Sequence, residues 1–316
     1  MGIGIRPTVD FAFKLMLGNP EHTNVTIHFL NAILEGQCRI ANVQILNPIL
    51  AKHTDDDKLS VLDILATDEH GRMLNIEMQT SLPSELPQRL AYYASCLYVG
   101  QLREGFRYAD LRPSISICVL TQAMFPERAD LHLEFRMREK SGLTLTDDLQ
   151  IHLLQLPKLR IASQNVYDAT PIERWAFFLT NAEHLTDDDV CRLFPDREIA
   201  EAAGVLKMIS QSPEDQLFYF GRLKFQRDEE ARLRKAELDG FEKGRQEGRQ
   251  EGRQEGWREG REEGREEGRI QLLQQILGLP ESTHDDLAAL DSSQLSELES
   301  QLLQQIRNKR SQWLSG

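Results

Sequence analysis

Cysteine is scarce in this sequence and is never clustered. Among its 316 residues, the four cysteines lie far apart, at Cys38, Cys96, Cys118 and Cys191. Disulfide frameworks and zinc sites use cysteines at short, regular spacings, so these four predict small buried side chains in a reducing compartment. The eight histidines likewise form no His-Glu-x-x-His or His-x-His pattern, so the common histidine metal motifs are missing too.

Long apolar runs are also absent. No stretch of about 18 or more apolar residues exists, which excludes a membrane-spanning helix on length alone. Residues 1–7 lack the basic region, apolar stretch and cleavage site of a secretory signal, and Gly2 is not followed by the Ser or Thr that a myristoylation signal requires. We therefore expect a cytoplasmic protein that does not use a membrane.

Positive charge is in deficit, because the formal net charge is −13. An acidic protein gains little non-specific affinity for nucleic acid from its overall field. A local basic face or bound cations can still reverse the sign of the field at one site. The charge thus counts against a nucleic-acid partner without excluding one.

One stretch of the chain has the pattern of a β-hairpin. Residues 61–67 are apolar and β-compatible, residues 68–71 read Asp-Glu-His-Gly and favour a turn, and residues 72–80 are extended again. A register that pairs Thr67 with Met73 brings the two strands together around this turn. The register matters because a slip by one residue changes which side chains share a face.

This hairpin carries acidic side chains among apolar ones. In the predicted register Asp63 lies directly opposite Glu77, and Asn75, Glu77 and Gln79 share one face of the second strand. Carboxylates in such surroundings are costly unless a charged group binds between them, which indicates a divalent metal. The alternative is that Asp63 and Glu77 are exposed residues on an edge hairpin.

Periodic patterns predict helices and further strands on both sides of the hairpin. Helices are expected over residues 11–17, 24–36, 88–104 and 171–181, and strands over residues 40–50, 114–120, 132–138 and 149–156. Helical segments then continue to about residue 225. This order predicts an α/β fold with a mixed sheet and helices packed on its faces.

Several other residues each allow two interpretations, one structural and one functional. Asp10 either starts the first helix or faces the carboxylate pair. Lys58 is a loop residue or a phosphate contact, and the neighbouring acidic residues 55–57 are a solvated loop or metal ligands. Arg89 and Tyr93 are one helical turn apart, so they are either a surface Arg packed on a Tyr or a phosphate-binding pair.

Beyond residue 240 the composition changes abruptly. Glycine recurs at every fourth position from Gly240 to Gly268, mostly flanked by Glu and Arg. Each glycine weakens a helix, so this repeat predicts a marginal exposed helix or a spacer, with pairing to another chain as a way to order it. We predict three parts: residues 1–225, the spacer 226–269, and a small helical module 270–316 that promotes homo-oligomer formation.

The hairpin motif and its surroundings resemble a known family. Asp63 followed by Glu77-Met-Gln79 resembles the PD-(D/E)xK nuclease superfamily, and more narrowly the Rpn group of recombination-promoting nucleases, also described as transposases. Supporting similarities are Asp10-Phe-Ala-Phe-Lys14, Tyr92-Tyr93 after Arg89, and Pro113-Ser-Ile-Ser-Ile117. The resemblance covers residues 5–225, and the glycine repeat and C-terminal module match the same group. It implies a restriction-endonuclease-like mixed sheet flanked by helices and followed by a helical tail.

The same resemblance implies an activity and its residues. The chain would be a metal-dependent DNA endonuclease linked to DNA recombination or mobile elements, with Asp63, Glu77 and Gln79 as catalytic residues. Asp63, Glu77 and the Met78 carbonyl would hold Mg²⁺, which activates water and stabilises charge on the phosphate. Gln79 stands where the superfamily has Lys, so it can orient water or a phosphate oxygen but brings no positive charge. The alternative is a catalytically degenerate nuclease fold that acts as a DNA-binding or assembly module.

Overall fold

The computed structural model describes residues 2–37, 39–46 and 63–314. Lys58, the acidic residues 55–57 and the start of the predicted hairpin at residues 61–62 lie outside this range. The chain divides into two units, residues 1–231 and 232–316. The three-part division predicted from the sequence stays a prediction.

A mixed six-stranded sheet forms the centre of the first unit. Its strands are β1 (Val43–Leu46), β2 (Ile64–Asp68), β3 (Met73–Gln79), β4 (Ser114–Leu120), β5 (His132–Arg138) and β6 (Thr144–Gln155). They lie in the order β1-β2-β3-β4-β6-β5. The central pairs β3-β4 and β4-β6 are parallel, whereas β1-β2, β2-β3 and β5-β6 are antiparallel. The predicted mixed α/β sheet is confirmed.

The hairpin has the predicted register, with Thr67 opposite Met73. Asp68 ends β2 and closes the turn, because its carboxylate accepts hydrogen bonds from the backbone N–H groups of His70 (3.0 Å) and Arg72 (2.9 Å). Gly71 has a φ of +76°, which favours glycine at this point of the turn. The turn chemistry therefore fixes which side chains of β3 face which side of the sheet.

Helices cover both faces of the sheet. The helices of the described residues are α1 (Asp10–Leu17), α2 (Thr23–Ile33), α3 (Leu86–Val99), α4 (Pro171–Asn181), α5 (Asp187–Leu193), α6 (Arg197–Gln211), α7 (Pro213–Leu277), α8 (His284–Ala288) and α9 (Ser292–Leu314), the last two belonging to the second unit. Helix α3 stops short of the predicted residue 104, with the N–H of Gly100 bonded to the Cys96 carbonyl oxygen. Strand β6 begins before the predicted residue 149, because its polar first residues pair with the edge strand β5.

The core of the first unit lies between the sheet and helices α1, α2, α4 and α6. Trp175 of α4 is fully buried there, and its indole N–H donates to Nδ1 of His28 on α2 at 2.9 Å. Helix α3 covers the opposite face, where Leu86 and Leu90 pack against Cys118 of β4. Every residue of β4 is buried, as expected for a parallel strand enclosed on both faces.

The second unit is helical. Helix α7 runs without a break through the glycine repeat, and residues 231–266 are all exposed. A small apolar cluster joins the end of α7 to α8 and α9, formed by Ile270, Leu277, Leu287, Leu295 and Leu302. In the described part of the chain, no helix is both long and apolar enough to span a membrane.

Candidate active site

Asp63 immediately precedes β2, and the hairpin register continued by one residue places it across from Glu77. Its Oδ2 accepts a hydrogen bond from the backbone N–H of Met78 at 2.9 Å. Its Oδ1 lies 3.2 Å from the ammonium nitrogen of Lys14 on α1. The carboxylate is therefore fixed against β3, beyond the end of the β2-β3 pairing.

Glu77 lies in the middle of β3 and is 5% exposed. Its Oε1 accepts a hydrogen bond from the side-chain amide of Asn75 at 2.8 Å. The same amide nitrogen lies 3.4 Å from the Ser116 hydroxyl, whereas Asn75 Oδ1 is buried with no hydrogen-bond partner in the described structure. Asn75 thus presents Glu77 with a donor and holds the carboxylate on the face of the sheet that α3 covers.

Gln79 is held in one orientation by two neighbours. Its Oε1 accepts from a terminal nitrogen of Arg89 on α3, and its Nε2 lies 3.3 Å from the Ser81 hydroxyl. The Arg89 Nε is buried and has no hydrogen-bond partner among the described residues. Of the pair predicted on α3, Arg89 therefore reaches the hairpin motif. Tyr93 instead packs with Leu65 and Leu97.

Lys14 and Asp10 bring a second helix to the site. The Lys14 ammonium lies 2.9 Å from Asp10 Oδ1, so Lys14 bridges Asp10 and Asp63. Asp10 is the first residue of α1, where a carboxylate suits the helix dipole, and it also faces the acidic site. Asp10 therefore fits both predictions, since it starts the helix and also faces the acidic site. Sequence reasoning did not assign Lys14 a role, although its spacing of four from Asp10 is a visible signal.

Burial dominates the electrostatics of the carboxylates. It raises the pKa of Asp63 above its ordinary value and outweighs the Met78 N–H and Lys14, which act the other way. Burial also raises the pKa of Glu77, and the nearby charge of Asp63 adds to this, against the Asn75 hydrogen bond and Arg89. A nearby positive charge would therefore stabilise the ionised form of both carboxyl groups. For Lys14, burial alone would lower the pKa, but Asp10 and Asp63 together raise it.

A comparison with known protein families covers the strands and helices that form this site. The sequence model of the PD-(D/E)XK nuclease family transposases matches residues 7–236, a span that contains the sheet, the hairpin and both helices of the site. The chain belongs to this family. The resemblance inferred from the sequence and the expected α/β nuclease fold are confirmed. No curated protein and no solved structure matches the chain.

A cleft of about 220 Å³ opens beside the acidic residues of this PD-(D/E)XK chain. One wall contains Asp10, Met78 and Ser81, and the other belongs to the first turns of α7, including Arg222 and Phe225. The contribution of α7 was missed in the sequence, which predicted only that helical segments continue to about residue 225. The cleft therefore lies next to Asp10 and to Met78, whose N–H binds Asp63.

The oxygen donors of the site suit a hard divalent cation. In the described ranges, no three His, Cys, Asp or Glu side chains are placed to hold a metal, so two carboxylates need a further ligand. In an extended strand, one residue's N–H and C=O point to the same edge. Because the Met78 N–H points to Asp63, the Met78 carbonyl faces that side too, while the Gln79 carbonyl bonds Thr121 on the other side. Asp63, Glu77 and the Met78 carbonyl thus form a fitting oxygen donor set.

Proposed function

We propose that this protein is a divalent-metal-dependent DNA endonuclease that hydrolyses phosphodiester bonds. The observation that carries the proposal is the pairing of Asp63 with the Met78 N–H beside the buried Glu77. Asp63, Glu77 and the Met78 carbonyl are the oxygen donors that would hold the cation against the sheet. Mg²⁺ bound there would lower the pKa of a water molecule and neutralise charge on the scissile phosphate.

The other residues of the site orient the reactants. Gln79 Oε1 is engaged by Arg89 and one N–H of Nε2 is directed at the Ser81 hydroxyl, so the second N–H of Nε2 is left to donate to water or to a phosphate oxygen. The buried Nε of Arg89 supplies a further donor. In the reaction, the water oxygen bonds to phosphorus as the bond to the leaving oxygen breaks. One proton of the water is released, and the leaving oxygen takes one up.

The family description also supports a role in DNA recombination or mobile-element biology. We further propose a cytoplasmic protein that forms homo-oligomers through its C-terminal helices. Their exposed glycine repeat and small apolar cluster support this. We place the three parts at residues 1–225, 226–269 and 270–316.

Plasmid cleavage tests the proposed activity. The full chain with Mg²⁺ should convert supercoiled plasmid to nicked circles, and EDTA should stop it. Asp63→Asn and Glu77→Gln should each lower the rate by at least about 10²-fold, because removing one preorganised charge-stabilising group costs that much. Asp110→Asn is the matched control, since Asp110 is a carboxylate that pairs with Arg107 on the surface. A labelled RNA of the same sequence, run in parallel, separates DNA from RNA preference.

Two outcomes would contradict the assignment. Equal nicking by Asp63→Asn and the wild type would place the activity elsewhere, in the chain or in a contaminant. If the wild type retains DNA in EDTA and never cuts it, the chain is a degenerate nuclease fold that acts as a binding module.

A further inference from the structure

Lys14 is held between two carboxylates. Its ammonium lies 2.9 Å from Asp10 Oδ1 and 3.2 Å from Asp63 Oδ1. Asp10 and Lys14 are one turn apart on α1, and the opposite side of that helix is anchored in the core by Phe13 and Met16, which are fully buried. The ammonium is therefore held beside the acidic pair by a rigid element.

The charges facing the site show what Lys14 contributes. On the sheet side Asp10, Asp63 and Glu77 are acidic and Gln79 is neutral, and the α7 wall of the cleft adds Arg222, Glu229 and Glu230. Arg89 makes its described contact with the Gln79 amide. Among the described residues, Lys14 is the one lysine paired with a carboxylate of the hairpin motif. Lys14 therefore supplies an ammonium group beside β3, a strand that contains no lysine of its own.

We propose that Lys14, positioned by Asp10, is the cationic catalytic residue of this nuclease and binds a non-bridging oxygen of the scissile phosphate. The inference rests on the proposed hydrolysis. A divalent cation held by Asp63 would neutralise this partner of Lys14 and would repel the ammonium. Asp10 would keep the ammonium nearby, and Asp10 itself lines the cleft together with Met78.

A consequence separates this role from that of a structural ion pair. Lys14 and the metal share Asp63, so they compete for it. Removal of the ammonium should leave metal affinity unchanged or higher while turnover falls. A residue that only supported the fold would lower stability, metal affinity and turnover together.

Metal binding and cleavage by Lys14→Gln and Lys14→Arg test the proposal in the full-length protein. Titration calorimetry with Mn²⁺ alone, without DNA, gives the metal affinity. Single-turnover nicking at saturating metal gives the rate. For Lys14→Gln we expect an affinity at least equal to the wild type and a rate lower by about 10²–10³-fold, the usual cost of one donor to a developing charge. Lys14→Arg should recover part of the rate, because it restores the charge.

Lys207→Gln is the matched control. Lys207 of α6 also pairs with an aspartate, Asp187, but both residues are far along the chain from the hairpin. Equal cleavage by Lys14→Gln and Lys207→Gln overturns the role of Lys14. So does a weaker Mn²⁺ affinity of Lys14→Gln accompanied by a lower melting temperature in circular dichroism. Absence of cleavage by the wild type overturns the nuclease function itself, and any catalytic task of Lys14 with it.

Discussion

At the scale of single residues, two kinds of buried polar group occur on the sheet. Glu77 of β3 is acidic and 5% exposed, whereas His152 of β6 is an imidazole that is enclosed and 1% exposed. Nδ1 of His152 lies 3.0 Å from Nε2 of His132, and its Nε2 lies 3.3 Å from Oε1 of Gln150. With Gln150 as an acceptor, His152 donates through Nε2 and accepts through Nδ1, so it is neutral.

This histidine predicts a loss of stability in mild acid. Burial lowers the pKa of His152 to about 3, with further contributions from His132 and Arg136. The unfolded chain takes up a proton near its ordinary pKa of about 6.5, but the folded chain does not, so stability falls as the pH drops from about 6.5 toward 3. Between pH 6.5 and pH 5 the expected loss is about 2 kcal/mol, at about 1.4 kcal/mol per pH unit.

Urea denaturation at pH 7.5 and pH 5 measures the effect. His152→Gln removes the titrating ring, so its free energy of unfolding should depend less on pH than that of the wild type. His184→Gln, which changes an exposed histidine, should behave as the wild type does. A wild-type free energy of unfolding that stays constant between the two pH values would contradict the neutral, enclosed state of His152.

Sequence reasoning reached part of the site. It found Asp63, Glu77 and Gln79 because their alternation and the turn at residues 68–71 are local signals. It left open whether Arg89 touches the motif, since only the packing of α3 on the sheet decides that. Lys14 received no role, because its contact with Asp63 joins residues far apart in the chain and no local pattern records it.

At the scale of elements, the sequence again predicted features with local signals and missed those that depend on contacts with other elements. The buried strand β4 was predicted with the observed limits, Ser114–Leu120, because a short apolar run bounded by polar residues defines its ends. The start of β6 was not, since its first residues are polar and acquire strand structure from their pairing with β5. The continuity of α7 was also underestimated, because glycine propensity alone favours a break.

The glycines of α7 give a prediction about helix stability. A Cβ added at Gly248, Gly252 or Gly256 meets nothing within 4 Å, so contacts within the chain do not require glycine there. Changing all three to alanine should stabilise the helix by about 1 kcal/mol for each position. Thermal melting followed by circular dichroism at 222 nm (the usual helix band) should show greater helicity and a later transition.

The same triple variant tests why glycine occurs there. If the repeat packs closely against a second chain, alanine should weaken self-association in sedimentation velocity even as it stabilises the helix. Gly204→Ala on α6 is a control, because a Cβ there also meets nothing within 4 Å and the site lies outside the repeat. A triple variant that gains no helicity would show that the repeat is not helical in solution.

At the scale of the whole molecule, the residues proposed for catalysis and those proposed for assembly lie in different units. The proposed nuclease residues all lie in residues 1–231, while the exposed repeat and the small apolar cluster lie in residues 232–316. An exposed, glycine-rich helix gains little stability by itself. This is the reason that we propose a partner chain for it.

Removal of residues 240–316 tests this separation. We expect the shortened chain to be monomeric in sedimentation velocity where the full chain is oligomeric, because the proposed pairing surfaces are gone. Its plasmid nicking should persist, since the acidic pair, Lys14 and the cleft remain. A full-length chain that is monomeric at all concentrations would contradict the assembly role of the C-terminal helices.

The cleft has a consequence for synthesis of the protein. Its walls come from residues 8–10 and from the start of α7, and the Arg6 N–H donates to the Tyr219 hydroxyl at 3.0 Å, which ties the two ends of the first unit together. Ribosomes add residues from the N-terminus onward. A nascent chain therefore carries its acidic hairpin well before the second wall of the cleft emerges. The site that we propose is therefore complete only when nearly the whole first unit has left the ribosome.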